Sequence, residues 1–239
     1  PVMVPDTDRV IQIMRQVAAR EIMPRFRRLE RSDIATKRNP SDLVTTADLE
    51  AERRLTAALK DLRPDAEVVG EEGAENNPDT LLLLGGEKPV WVLDPIDGTF
   101  NYAHGQACFA VIVGFCVQGE TLAGWILDPV TDTVVGAVAG EGAWIVEGGG
   151  HRKLSVSDAR CVETMAGSVG RRLARFIKTR RTLGLSGGPA KTVKYGCTGR
   201  EYMDLAQGKL DFAQYTRLKP WDHAAGALSS GEHPITRFE

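Results

Sequence analysis

The stretch Trp91-Val92-Leu93-Asp94-Pro95-Ile96-Asp97-Gly98-Thr99-Phe100-Asn101-Tyr102 joins a short apolar run to a polar turn. The run has the length of one buried strand. Pro95 and Gly98 interrupt regular pairing, so we expect Asp94 at the last position of the strand and Asp97 on the turn. Both carboxylates can then point at one place. Like charges this close repel unless a cation lies between them, and a hard divalent ion with oxygen ligands is the simplest candidate.

Beyond Gly98 the chain can begin a helix. The first N–H groups of a helix have no carbonyl partner inside it, and they attract an anion. The turn therefore predicts a place where a divalent cation meets a phosphate.

The composition limits the kinds of partner. The chain has 239 residues, of which 30 are basic and 32 acidic, giving a formal net charge of −2. This length suits one large domain or two small ones. The balanced charge does not indicate a broad surface for nucleic acid or an anionic membrane, so we expect neither as a partner.

Cysteine usage and hydropathy indicate a location. The four cysteines are widely spaced without a CxxC pair, which fits free thiols in a reducing cytoplasm: Cys108, Cys116, Cys161 and Cys197. The sequence shows no signal peptide, and its apolar runs are far shorter than the roughly 20 residues of a membrane helix. We expect a soluble, cytoplasmic protein.

A run of three glycines, Gly148–Gly150, is the best internal boundary. Before it, short apolar strands alternate with tight turns from Phe109 onward, which predicts an antiparallel meander. We therefore divide the chain into residues 1–150, an α+β part with an antiparallel sheet and most of the metal ligands, and residues 151–239, a smaller α/β part.

An earlier acidic residue, Asp48, follows Val44-Thr45-Thr46. Thr45 or Thr46 is the expected cap of a helix that runs to about Leu62, which places Asp48 in the first turn. A carboxylate there favours the helix dipole, so a structural role alone would explain it. A functional role requires that Asp48 face the Asp94 turn.

Two other acidic positions have similar ordinary explanations. The pair Glu71-Glu72 lies between glycines after a short strand, and Asp222 is expected at or near the cap of a helix. We interpret His223 as a core or surface histidine. Together with Asp94 and Asp97, however, these carboxylates supply enough oxygens for two divalent ions about 3.5–4 Å apart, the arrangement that supports phosphoryl transfer.

Four ordered motifs make the combination recognisable. They are Asp42-Leu43-Val44-Thr45-Thr46-Ala47-Asp48, Gly70-Glu71-Glu72, Asp94 through Tyr102, and Trp221-Asp222-His223-Ala224-Ala225-Gly226. In this order and spacing, the chain resembles the inositol monophosphatase family of magnesium-dependent, lithium-sensitive phosphatases from about residue 10 to residue 230. The resemblance implies a layered αβαβα sandwich of the sugar-phosphatase type, in the α/β (α+β) class, and a homodimer.

The resemblance also implies roles for the matching residues. Glu71, Asp94 and the carbonyl of Ile96 would hold one Mg²⁺. Asp94, Asp97 and Asp222 would hold a second, and Glu71 would help with a weaker third. Thr99 and Asp48, with Glu71, would activate a metal-bound water for in-line attack on phosphorus. The N–H groups of Gly98 and Thr99 would bind phosphate oxygens.

Substrate choice stays open. The run Gln214–Pro220 has no carboxylate at the place where inositol monophosphatases bind ring hydroxyls. Arg217 or Lys219 could instead favour a more anionic or differently shaped leaving group. The candidates are an inositol or sugar phosphate, fructose bisphosphate and histidinol phosphate.

Of two basic segments, one bears on a second class of function. Residues 171–181 carry six arginines and lysines on a predicted helix whose basic face is most often solvated, but this face could also bind RNA or a protein in a regulatory role. The pair Lys37-Arg38 is expected on the solvated surface of a loop or short hairpin.

Overall fold

The structure is a computed structural model that describes residues 3–185 and 187–230. Ser186 and residues 231–239, which belong to the predicted C-terminal part, lie outside the described residues. The α-helices are α1 Thr7–Val17, α2 Thr46–Leu62, α3 Glu71–Asn76, α4 Thr99–Ala103, α5 Arg171–Thr182, α6 Thr198–Ala206 and α7 Pro220–Ser229. A π-helical turn, Ala18–Ile22, extends α1, and short 3₁₀ turns cover Arg31–Asp33, Pro78–Gly85 and Val162–Thr164.

The strands form three sheets. They are β1 Ile34–Thr36, β2 Leu43–Thr45, β3 Glu67–Gly70, β4 Val90–Asp97, β5 Ala110–Val117, β6 Glu120–Asp128, β7 Thr133–Val138, β8 Gly142–Glu147, β9 Gly150–Lys153, β10 Ala166–Ser168, β11 Lys191–Val193 and β12 Phe212–Ala213. β1 and β2 make an antiparallel hairpin. The large sheet has the order β3-β4-β5-β6-β7-β8-β9, and the small sheet has the order β11-β10-β12.

The large sheet contains the predicted meander. Only β3 and β4 pair in parallel, and each later neighbour pairs antiparallel. Gly148 and Gly149 form the turn between β8 and β9, and Gly150 begins β9, so this sheet continues to Lys153, beyond the predicted division at residue 150. Division of the chain into two parts stays a prediction.

Both faces of the large sheet are covered. On β5, Val111, Val113 and Phe115 pack in one core with residues of α1 and α2, while Ala110 and Ile112 pack in another with residues of α6 and α7. Successive residues of a strand point to opposite faces, so a strand buried on both sides is a continuous apolar run. This explains why the sequence of β5 lacks polar alternation.

The helices and sheets stack as layers. The pair α1 and α2 covers one face of the large sheet, and α7 with α6 covers the other. α6 also contacts the small sheet through β12, and α5 connects β10 to β11. The predicted layered α/β fold class is confirmed.

No helix in the described ranges 3–185 and 187–230 has the length and apolar character needed to cross a bilayer.

Candidate active site

Strand β4 carries two of the predicted site residues, Asp94 and Asp97, on a distorted segment. The register with β5 shifts between these two residues. Pro95 has no N–H to donate to the ladder, so pairing cannot continue regularly through it. The N–H of Ile96 donates instead to Asp94 Oδ1 at 3.1 Å. The prediction that the strand ends at Asp94 is wrong, because β4 continues through this bulge to Asp97.

Helix α7 brings a third carboxylate, Asp222, to the two on β4. Among the described residues, Asp94, Asp97 and Asp222 form one group whose ligand oxygens all lie within 4.8 Å of one another. Asp222 lies in the first turn of α7. The helix is held very close to the sheet, because a Cβ on Gly124 of β6 would lie 2.5 Å from Cα of Ala225.

Burial makes this group costly to ionise. Asp94 and Asp97 are only 2% and 7% exposed. Burial, reinforced by the negative charges of Glu71 and Asp97, raises the pKa of Asp94 well above its usual range. Burial likewise raises the pKa of Asp222 to about 7. Two buried carboxylates and one half-buried carboxylate, all with raised pKa values, are an all-oxygen ligand set that a hard divalent cation would stabilise.

Asp97 is oriented by the start of α6. Its Oδ2 accepts a hydrogen bond from the N–H of Gly199 at 2.5 Å and from the thiol of Cys197 at 3.1 Å. Burial raises the pKa of Asp97 to about 6, and the Gly199 bond opposes that rise. We did not predict these supporting groups. No sequence pattern near Asp97 indicates them. In the structure, position 199 favours glycine because a Cβ there would lie 2.9 Å from Cβ of Ala110.

Asp48 and Thr99 meet beside the bulge. The hydroxyl of Thr99 lies 3.0 Å from Asp48 Oδ1 and 2.9 Å from the carbonyl oxygen of Ile96, both of which can accept its proton. Asp48 Oδ2 accepts from the N–H and hydroxyl of Thr45, the N-cap of α2, at 2.8 and 2.5 Å. Asp48 thus faces the Asp94 turn while it completes the capping box of α2.

Burial of Asp48 has a consequence for proton transfer. The side chain is fully buried, and this raises its pKa to about 7, although bonds from Thr45 oppose the rise. A carboxyl with a pKa near neutrality is well matched to accepting a proton at physiological pH.

Glu71 lies beside the three-carboxylate group, not within it. Its Oε1 is 3.2 Å from Lys37 Nζ and 3.8 Å from Lys219 Nζ. Lys37 also pairs with Glu72 at 2.7 Å and Glu75 at 3.3 Å, and its side chain is 10% exposed. The expectation of a solvated Lys37 is therefore wrong, because the β1–β2 hairpin folds over α3. Its neighbour Arg38 stays more than half exposed.

The turn after β4 requires glycine. Gly98 is the N-cap of α4 and has a φ of 88°, in the left-handed region that favours glycine. A Cβ there would also lie 3.1 Å from the carbonyl oxygen of Cys108. The N–H groups at the start of α4 follow directly after Asp97, so an anion could bind next to the carboxylate group.

The neighbour of Asp222, His223, is part of the core. Its Nδ1 lies 2.9 Å from the hydroxyl of Tyr202, and its Nε2 lies 3.1 Å from the carbonyl oxygen of Arg217. Burial lowers the pKa of His223. Of the two predicted alternatives, a core or a surface histidine, the structure shows the core histidine.

A layered α/β fold that places buried carboxylates beside a helix start is typical of enzymes that act on phosphate esters. The sequence profile of the inositol monophosphatase family matches residues 6–228, so the chain belongs to that family. Members of the family are metal-dependent phosphatases, and the chain is accordingly a phosphoric monoester hydrolase.

Individual relatives agree with this assignment. The chain is 32% identical over 206 residues to an inositol-1-monophosphatase of Bacillus subtilis, with 83% of this chain and 73% of the relative covered. It is 28% identical to a fructose-1,6-bisphosphatase/inositol-1-monophosphatase of Thermotoga maritima, with 82% and 71% covered. A solved Thermotoga maritima IMPase superposes with a TM-score of 0.74 at 26% identity, over 92% of this chain and 80% of the other.

Proposed function

We propose that this protein is a Mg²⁺-dependent phosphomonoesterase that hydrolyses a small phosphorylated metabolite, an inositol or sugar phosphate. The observation that carries the proposal is the convergence of Asp94, Asp97 and Asp222, with oxygens within 4.8 Å, beside the start of α4. Such a site places carboxylate ligands for a cation next to backbone N–H groups that can donate hydrogen bonds to a phosphate.

Two or three Mg²⁺ ions fit the donor set. Glu71, Asp94 and the carbonyl of Ile96 would hold one ion, and Asp94, Asp97 and Asp222 another, with Glu71 assisting a third. When bound, Mg²⁺ supplies Lewis-acid stabilisation of phosphate charge and makes water a better nucleophile. We also expect inhibition by Li⁺.

In this proposal, residues of the chain accept the proton of the attacking water and bind the phosphate. The Thr99 hydroxyl donates to Asp48, which leaves a lone pair on its oxygen free to orient an attacking water in line with phosphorus. Asp48 accepts the proton through this bond. The N–H groups of Gly98 and Thr99 hold phosphate oxygens, where they also oppose the charge that develops during attack.

A phosphate-release screen tests this proposal. Inositol 1-phosphate, fructose 1,6-bisphosphate, histidinol phosphate and adenosine 3′,5′-bisphosphate would each be assayed with Mg²⁺ and with EDTA. We expect Mg²⁺-dependent release from an inositol or sugar ester and little from the nucleotide. Absence of release from every ester at any Mg²⁺ concentration would refute the proposal. Sedimentation of the same preparation tests the homodimer that we also propose.

The exposed face of α5 supports a second candidate, binding of an RNA. Arg171, Arg172 and Arg175 line a shallow cleft on this helix together with Phe176, which is 58% exposed. Cations interleaved with an aromatic ring suit single-stranded RNA. Salt-sensitive RNA binding that is lost in an Arg171→Gln/Arg172→Gln variant would support this role, and absence of RNA binding at low salt would exclude it.

A further inference from the structure

A pocket of about 250 Å³ opens from the carboxylate group toward the small sheet. Asp97 and Asp222 form part of its wall, so an ester whose phosphate lies at these carboxylates would direct its leaving alcohol into this space. The residues that line the pocket therefore select the leaving group.

The position of the pocket follows from the topology of the small sheet. β10 pairs in parallel with both β11 and β12, so the carboxyl ends of the three strands lie at one edge. Ser168 ends β10, Lys194 follows β11, and Gln214 follows β12, and all three line the pocket. Ligands commonly bind at the carboxyl edge of parallel strands, where loops can supply specific side chains.

Two cationic side chains line this pocket, Lys194 and Arg217. Among residues 3–185 and 187–230, neither forms an ion pair with a carboxylate, whereas Lys219 is engaged by Glu75 at 3.0 Å. The backbone of Arg217 is anchored, because its carbonyl oxygen lies 3.1 Å from the buried His223 ring. Arg217 is thus held at the wall of the pocket by its backbone, and its side chain forms no ion pair with a carboxylate of the described residues.

The carboxylate of the pocket, Glu201, is already engaged. It is 7% exposed, and its Oε1 accepts a hydrogen bond from the Ser168 hydroxyl at 2.5 Å. Burial raises the pKa of Glu201, while the positive charge of Lys194 acts in the opposite direction. Asp97 and Asp222 are proposed cation ligands. The other charged residues of the lining are the cations Lys194 and Arg217 and the carboxylate Glu201, which is hydrogen-bonded within the protein.

We propose that this pocket selects phosphate monoesters whose leaving alcohol carries a second anionic group, a phosphate or a carboxylate, which Lys194 and Arg217 bind. This inference rests on the proposed phosphatase function and narrows its substrate class. The loop before α7 supplies Tyr215 and Arg217 to the pocket, and no carboxylate, so a neutral polyol lacks an acidic partner for its hydroxyls there. An anionic group gains charge-assisted hydrogen bonds instead.

The test compares three esters with Mg²⁺ present: inositol 1-phosphate, with a neutral leaving group, fructose 1,6-bisphosphate, with a phosphorylated one, and 2-phosphoglycerate, with a carboxylate. We expect kcat/KM to be higher for one or both anionic esters than for inositol 1-phosphate. Comparison of fructose 1,6-bisphosphate with 2-phosphoglycerate shows whether the pocket prefers a phosphate or a carboxylate. Arg217→Gln and Lys194→Gln should each lower kcat/KM for the preferred anionic ester about tenfold and leave inositol 1-phosphate within about twofold. Lys178→Gln on the exposed side of α5 is the matched control and should change neither.

Binding of a product separates this inference from the proposed function. Calorimetry of fructose 6-phosphate or glycerate needs no turnover, and its Kd should rise about tenfold in Arg217→Gln but not in Lys178→Gln. An active wild-type enzyme that prefers inositol 1-phosphate, with Arg217→Gln and Lys194→Gln unchanged on all three esters, would overturn the inference while the phosphatase proposal stands. Loss of all turnover with intact product binding would refute the phosphatase proposal alone.

Discussion

The Thr99 hydroxyl lies 3.0 Å from Asp48 Oδ1 and joins the turn after β4 to the first turn of α2. Asp48 also contacts the N-cap of α2, because its other carboxylate oxygen accepts hydrogen bonds from the N–H and hydroxyl of Thr45. A helix cap is thereby linked to the proposed active site. The capping box fixes the carboxylate of Asp48, which is one of two acceptors for the Thr99 hydroxyl, the other being the carbonyl oxygen of Ile96 at 2.9 Å.

Removing the Thr99 hydroxyl tests this relationship. Thr99→Val should lower kcat about a hundredfold, because the attacking water loses its orienting oxygen and its route to Asp48. Thr99→Ser, which keeps the hydroxyl, is the matched control and should retain most of kcat. The Mg²⁺ concentration for half-maximal activity should move little in either variant. Full activity of Thr99→Val would remove Thr99 from the mechanism.

The close approach of α7 to the sheet gives a second prediction. In Gly124→Ala, the new Cβ would lie 2.5 Å from Cα of Ala225, so α7 must move and carry Asp222 with it. We expect a loss of about 1–3 kcal/mol in the free energy of unfolding and weaker Mg²⁺ binding by calorimetry. Gly85→Ala is the control, since nothing lies within 4 Å of its Cβ position. Equal Mg²⁺ affinity in both variants would show that Asp222 is not a ligand.

The raised pKa values predict how metal and pH act on stability. Burial raises the pKa of Asp222 to about 7 and that of Asp97 to about 6. Each carboxyl therefore binds more protons folded than unfolded, and its contribution to stability is present at low pH and lost as pH rises through these values. Mg²⁺ bound by these groups would compensate the charge of the ionised carboxylates.

Thermal melts with saturating Mg²⁺ and with EDTA, compared over a range of pH, test this expectation. The gain in Tm from saturating Mg²⁺ over EDTA should be small near pH 5 and should increase toward about pH 7.5. Circular dichroism at fixed ionic strength measures it. A gain that is independent of pH, or that decreases as pH rises, would contradict metal binding by these carboxylates.

Local sequence signals account for much of the fold. A cap at Thr45 or Thr46 and the spacing of Leu55, Leu59 and Leu62 on one face predict a helix to about Leu62, and α2 has Thr45 as its N-cap and ends at Leu62. The alternation of apolar strands and tight turns predicts the meander from β5 to β8. Each of these patterns lies within a short segment of the sequence, so the element that it predicts does not depend on contacts with distant segments.

Contacts between distant segments were harder to predict. The pairing of β4 with β5 decides that the strand passes Asp94 through a bulge to Asp97. The sequence around Lys37 does not reveal that α3 lies beneath the hairpin with three glutamates, Glu71, Glu72 and Glu75. The donors to Asp97 come from Cys197 and Gly199, about a hundred positions along the chain. Contacts between residues so far apart in sequence can be identified only from the three-dimensional packing of the layers.

Asp94 is the residue on which the two proposed ion sites overlap, so its substitution tests whether phosphate release depends on metal bound at this site. Phosphate release from the best ester of the screen would be compared for wild type and Asp94→Asn, each with Mg²⁺ and with EDTA. Asp94→Asn should still fold, and its Tm in EDTA should equal or exceed that of wild type, because a buried like charge is removed. We expect Mg²⁺-dependent release by wild type and a loss of at least about a thousandfold in Asp94→Asn. Release by Asp94→Asn within about tenfold of wild type, or full wild-type activity in EDTA, would contradict it.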